Sequence, residues 1–280
     1  MNTKSYRLLA VVDPTSDEQW ALDKALAIAK TQPSSEIVAY LCVHSSTKCD
    51  EPARLEKVEL ARHRLWLDSI LARYSDEIVP ITPLIEWHAE WPKAIGAAAQ
   101  KANTDLIIKR ASRRPRSLGN SDRALMRSLD KRTLLLVKNR PGRTLKKLLV
   151  AVDFNAVDAN HKRLNDSIME LGKRIRGTDK EIELHSICAY AVSDKFVHPP
   201  DMAKTLGIKR SEAHVQQGTA ADVIPGMANK IKADLVVLGS VARRGVPGTT
   251  IGNTAEKILA GIEADVLVVV EAEKKVRAAA

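Results

Sequence analysis

Three blocks of this 280-residue chain occur twice, in the same order, and a duplicated chain folds as two versions of one unit. Leu8-Leu9-Ala10-Val11-Val12-Asp13 matches Leu148-Leu149-Val150-Ala151-Val152-Asp153. Asp105-Leu106-Ile107-Ile108 matches Asp234-Leu235-Val236-Val237, and residues 119–137 run in step, without gaps, with residues 252–270. Two domains are therefore expected, at 1–140 and 145–280. The joint at 139–144 contains Pro141 and Gly142, which oppose regular structure.

Within each copy, short apolar runs alternate with segments of helical period. The first copy predicts strands at 6–13, 36–43, 81–88, 105–109 and 133–138. Between them fall helices at 16–31, 52–74, from Pro92, and at 120–130. Trp20, Leu22, Ala25, Leu26, Ile28 and Ala29 supply the apolar stripe of the first helix. Leu55, Val58, Ala61, Leu65 and Leu71 supply that of the second. Strands separated by helices require parallel crossovers, so the fold class is α/β, with two tandem doubly wound five-stranded parallel sheets of Rossmann-like design. In such sheets a ligand sits beyond the carboxyl ends of the strands, where strand order reverses. The second copy departs in one place. Only about 17 residues separate the strand ending near Tyr190 from the one beginning near Ile208, against nearly 40 in the first copy. A segment broken by His198-Pro199-Pro200 stands where the long helix was, leaving one sheet face thinly covered by its own repeat. The other domain or a second chain then covers it, or the cleft is unusually open.

Composition narrows the chemistry. The net charge is +10, part of it crowded into Lys109, Arg110, Arg113, Arg114 and Arg116, which read as a solvated basic loop. No interleaved aromatic residue or nucleic-acid motif accompanies it, so nucleic acid is not an expected partner. Cys42 and Cys188 lie in apolar strand-like runs as small core residues, and Cys49 lies in a polar loop. Seven histidines are dispersed without metal-binding spacing, His88 and His214 falling on the third strand of each copy as interior residues. No nucleophile elbow, Walker loop or paired acid and base stands out, so neither a catalytic residue nor a metal is expected. No apolar run reaches the ~20 residues that span a bilayer. With no signal-peptide core at the N-terminus, the expectation is a cytoplasmic protein.

The stretch 234–254 draws these features together. A Val- and Leu-rich strand at 234–238 ends at Gly239, and a loop carries Arg243, Arg244, Gly245, Pro247 and Gly248. Gly252-Asn253-Thr254 then opens an amphipathic helix, whose N-terminus presents free N–H groups to an anion. With the strand ending in Asp153, the glycine spacing and the duplication, the whole chain resembles the universal stress protein family, and most closely its tandem two-domain members.

That resemblance implies a nucleotide motif of Gly, two residues, Gly, nine residues, Gly, then Ser or Thr. Here its positions are Gly239, Ala242, Gly252 and Asn253, with Thr254 following and Arg243 able to add charge. Asp153 stands where binding members contact adenine or ribose. Ala242 and Asn253 depart from the motif, and Ala242 adds a Cβ where backbone must approach phosphate. In the first copy Arg110 replaces the first glycine and is expected to fill the cradle, so no nucleotide is expected there. Asp13 and Asp153 also have a simpler use as turn caps at strand ends.

Two kinds of function follow. One is a non-catalytic stress-response module, a tandem pseudo-dimer that also forms a homodimer, with ATP, another adenine nucleotide or another small molecule in the second domain. The other is a ligand-free interaction protein, with final strands, 133–138 or 265–270, that pair across domains or subunits to remove an exposed edge. A nucleotide hydrolase or adenylyl-transfer enzyme is disfavoured, because the pyrophosphate loop of such enzymes is missing.

Overall fold

The computed structural model describes residues 5–32, 34–45, 50–112, 119–129, 132–179, 181–242 and 253–272. By internal contacts the chain divides into one unit of Met1–Arg110 with Arg140–Gly142 and another of Ala111–Asn139 with Arg143–Ala280. This packing boundary falls earlier than the sequence repeat boundary, for a reason visible in the second unit.

The first unit contains β1 (Tyr6–Val11), α1 (Trp20–Ala29), β2 (Ser35–Val43), α2 (Pro52–Leu71), β3 (Ile81–Trp87), α3 (Trp91–Lys101) and β4 (Leu106–Arg110). Its strands run parallel in the order β3-β2-β1-β4. Leu8, Leu9, Ile37, Leu41 and Ile107 fill the sheet interior, and Leu22 and Ile95 come in from the helices. Pro92 stands in the first turn of α3, as its fixed φ favours. Of the apolar stripe expected on α2, only its ends, Leu55 and Leu71, are partly covered. Val58, Ala61 and Leu65 are exposed, and the helix packs through Leu67 and Ile70, with Leu60, His63 and Trp66 partly covered. Two apolar frames overlap on this helix, and the bulkier one near its C-terminus is the one that packs.

The second unit contains α4 (Asn120–Ser128), β5 (Thr133–Val137), β6 (Lys147–Ala151), α5 (Ala159–Arg176), β7 (Glu183–Tyr190), α6 (Pro199–Leu206), β8 (Ala213–Gln217), α7 (Ala220–Ile231), β9 (Leu235–Ala242), α8 (Asn253–Gly261) and β10 (Asp265–Ala272). Five parallel strands run β10-β9-β6-β7-β8. β5, the last strand of the first repeat, pairs antiparallel with β10, which is why 111–139 group with the second half. Side chains reinforce that pairing. The Lys138 amine donates to the carbonyls of Leu259 and Ile262 at the end of α8, both at 2.6 Å. Asp265 Oδ1 accepts the backbone N–H groups of Lys138 (2.8 Å) and Asn139 (3.0 Å). The expected linker is therefore already held at its first residue.

Prolines do not break the segment before β8. Pro199 and Pro200 start α6, where a missing N–H costs nothing, and Gly207 closes it in the left-handed conformation. Met202, Ala203 and Leu206 pack with Cys188 and Ala213, so this short helix covers the face expected to be open.

Gly239 does not end its strand. β9 continues to Ala242, with Gly239 opposite Val269 and Ala242 opposite Ala272. The glycine has a packing role: a Cβ there would lie 2.6 Å from Leu164 Cγ and 2.7 Å from Ile168 Cδ1 on α5. Gly239→Ala should therefore lower the unfolding free energy by about 1–3 kcal/mol through overpacking, measured by urea unfolding. An unchanged midpoint would show that α5 moves away at little cost.

Candidate functional site

Strand order in the second unit reverses at β6, which lies between β7 and β9, so the carboxyl ends of β6 and β9 flank the crevice of a doubly wound sheet. Asp153 follows β6 and is exposed. Its carboxylate Oδ1 accepts the N–H of Asn155 at 2.9 Å, the turn cap expected of an aspartate at a strand end. Asn165 on α5 clamps the Asp153 backbone, accepting its N–H at 3.1 Å and donating to its carbonyl at 2.6 Å. The carboxylate is thus fixed by its own turn, and the backbone that carries it by α5. Continuing the Val150–Val237 register brings Asp153 level with Ser240, a buried hydroxyl on β9 that the glycine spacing did not single out. Ala242 ends β9, Asn253 opens α8, and Thr254 is exposed in its first turn. Arg243 and Gly252 lie outside the described residues, as do Arg113, Arg114, Arg116 and Cys49.

The corresponding strand end in the first unit is closed by its own side chains. Asp13 Oδ1 accepts the Thr15 N–H (2.9 Å) and hydroxyl (2.6 Å). Gln19 is buried, accepts the Asp13 N–H at 2.9 Å and donates to the carbonyls of Asp13 (2.9 Å) and Ser16 (2.5 Å). Arg110 lies 4.0 Å from the centre of the Trp20 ring, and the Lys109 amine lies 5.5 Å from that of Trp91. Lys109 is buried and also donates to the Arg110 carbonyl at 2.8 Å. Neither residue belongs to a solvated loop. Both end β4, and Arg110 is drawn onto an indole rather than left as a bare cation.

The start of α4 carries a feature absent from the motif reading. Asp122, fully buried in the first turn, accepts the Ser112 N–H at 2.8 Å and its hydroxyl at 3.2 Å. Ser112 also shares a 2.9 Å hydrogen bond with Ser121. Gly119 permits this approach, since a Cβ there would lie 2.6 Å from that of Ser112. A carboxylate therefore occupies the positive end of α4, where an external anion would otherwise be favoured. The repeat-equivalent residue at the start of α8 is Ala255; the acid in the first turn of α8 is Glu256, one position on, and it pairs with Arg123 and Arg127 instead.

Other chemistry is structural. Among the described residues no group of three His, Cys, Asp or Glu side chains could hold a metal ion. Burial raises the thiol pKa of both Cys42 and Cys188, which makes them poor nucleophiles. His88 is exposed just after β3, accepting the Glu90 N–H at 2.9 Å, and is not an interior residue. His214 meets His185 across β7 and β8, ring nitrogens 3.1 Å apart, and His185 contacts Glu183 at 3.1 Å. Residues 29 positions apart in sequence form this pair, which no local spacing could announce.

Residues 169–270 match the family model described as the universal stress protein family. The chain is 25% identical over 299 residues to Universal stress protein E of Escherichia coli strain K12, covering 94% of this chain and 93% of that protein. It is 22% identical over 300 residues to the Universal stress protein E homolog of Haemophilus influenzae, covering 94% and 97%. Among solved structures, it is similar to a universal stress protein from Pseudomonas aeruginosa UCBPP-PA14, with a TM-score of 0.75, 27% identity and coverage of 94% and 92%. A universal stress protein from Archaeoglobus fulgidus shares the fold, with a TM-score of 0.65 at 16% identity over 95% of this chain and 96% of that one.

The histidine pair gives stability a pH dependence. Burial, then His185, Lys230 and Arg210, hold the His214 pKa below its ordinary 6.5, against an opposing pull from Glu212. The neutral ring is the folded form, so this contribution is complete above 6.5 and is lost as pH falls below it towards the folded value. Urea unfolding from about pH 7 down to 5 should show declining stability, with a shallower decline in His214→Gln. Equal slopes would contradict the assignment.

Proposed function

We propose that the chain, similar over 94% of its length to Universal stress protein E of Escherichia coli, is a non-catalytic stress-response module of two repeats, 1–140 and 145–280, whose second repeat holds an adenine nucleotide or another small ligand. Support comes from the contrast between the two helix starts: Asp122 lies buried against Ser112 in the first repeat, while Thr254 is exposed beside Ala255 in the second. A phosphate would then meet the start of α8 through Gly252, Asn253 and Thr254, with Arg243 adding charge. Asp153 would take the ribose or base, with Gly239 and Ala242 on the neighbouring strand leading to the loop. ATP with magnesium is the first ligand to test, and the first repeat takes none.

No helix among the described residues is long and apolar enough to cross a membrane, and a cytoplasmic homodimer fits the proposal. A second reading, a ligand-free docking module, is favoured by exposed Val157, Val192 and Phe196 in the loops after β6 and β7 at the same end of the sheet.

Isothermal titration with ATP and magnesium decides between them. The proposal expects one site per chain, weakened at least tenfold by Asp153→Ala and abolished by Gly252→Trp. No heat at protein concentrations of about 100 µM, where a millimolar Kd would still register, leaves the docking module.

A further inference from the structure

The β5–β10 pairing is symmetric in its backbone. Leu134 faces Val268, whose repeat equivalent is Leu135, while Leu135 faces Leu267, whose equivalent is Leu134. Exchanging the repeats leaves such a register unchanged, which is the form of contact that two identical subunits make. Backbone hydrogen bonds alone would therefore let the final strand of either repeat pair with a copy of itself on another chain.

Side chains remove that equivalence. Arg123 and Arg127 on α4 both reach Glu256 on α8, at 3.3 and 3.2 Å. Arg123 and Glu256 are repeat equivalents, so one position carries opposite charges in the two copies. The same inversion recurs twice at the strand ends. Asp265, which accepts the N–H groups of Lys138 and Asn139, has Arg132 as its equivalent. Lys138, which caps the negative end of α8, has Glu271 as its equivalent.

We propose that this charge inversion makes the α4–β5 and α8–β10 surfaces fit one another and reject their own copies, so that the final strand of each repeat pairs only with the opposite repeat. Two first-repeat surfaces would set Arg123 and Arg127 against the same pair, with Arg132 in place of the acceptor Asp265. Two second-repeat surfaces would oppose Glu256 to Glu256 and leave the carbonyl end of α8 without the amine that Lys138 supplies. Specificity here comes from what the wrong pairings cost rather than from the strength of one exposed ion pair. Any self-association of the whole chain then uses another surface.

The test uses the full chain. Glu256→Arg sets three arginines together, and Arg123→Glu with Arg127→Glu sets three acids together. Each should lower the thermal midpoint by about 2–5 °C, and the triple variant, with charges exchanged, should recover most of the loss. Refolded in equal amounts, the two mismatched chains carry complementary halves, and light scattering should show a species of twice the mass that either shows alone. Should the reversals fold poorly, Glu256→Gln and Arg123→Gln, measured singly and together, report the coupling on milder changes. A triple variant no more stable than the reversals, additive effects of the two glutamines, or a mixture that keeps the mass of its components overturns the proposal.

Discussion

The antiparallel contact of β5 with β10 removes the open edge that a parallel five-stranded repeat would otherwise leave at its last strand. Buried Leu134, Leu135 and Leu136 meet Val266, Leu267 and Val268 along it, so the edge is closed by apolar burial as well as by backbone hydrogen bonds. Burial also pulls the Lys138 amine down to about 8, against the opposing pull of Asp122 and Asp265. A lysine held there by two helix-end carbonyls ties the last helix of the second repeat to the last strand of the first. The linker follows directly from this contact, so the duplication and the connection between copies are one arrangement.

With that edge closed, the two copies diverge at the carboxyl ends of their strands. The first turns its polar groups inward: Gln19 closes the turn after β1, Arg110 lies on Trp20, and Asp122 answers the positive end of α4. The second keeps Asp153 exposed on a backbone clamped by Asn165, next to the strand that leads to the glycine-rich loop. Duplication allows this division. One copy answers its helix start with its own buried acid, and the other leaves Asp153 exposed at its strand end.

The repeat, the order of strands and helices, and the start of α3 at Pro92 were legible because each rests on local pattern. The face of α2 was not, since Val58, Ala61 and Leu65 repeat with the same period as the Leu67 and Ile70 frame that packs. Gly239 resembled a strand terminator, but the reason for a glycine lies across the sheet at Leu164 and Ile168. Pro199 and Pro200 read from sequence as a break because their position relative to the first turn of α6 depends on where the chain leaves β7. At the site, the turn role of Asp153 was legible. The clamp from Asn165, the buried Asp122 and the His185–His214 pair were not, because each depends on residues brought together by tertiary packing.

The central claim is that only the second repeat keeps room for an anionic ligand. Hydrogen–deuterium exchange of the whole chain, with and without saturating ATP and magnesium, tests it most directly. Slower exchange is predicted in peptides spanning 153–158 and 253–261, with no change in those spanning 13–19 and 119–128. Protection confined to the first-repeat peptides, or equal in both sets, would contradict it.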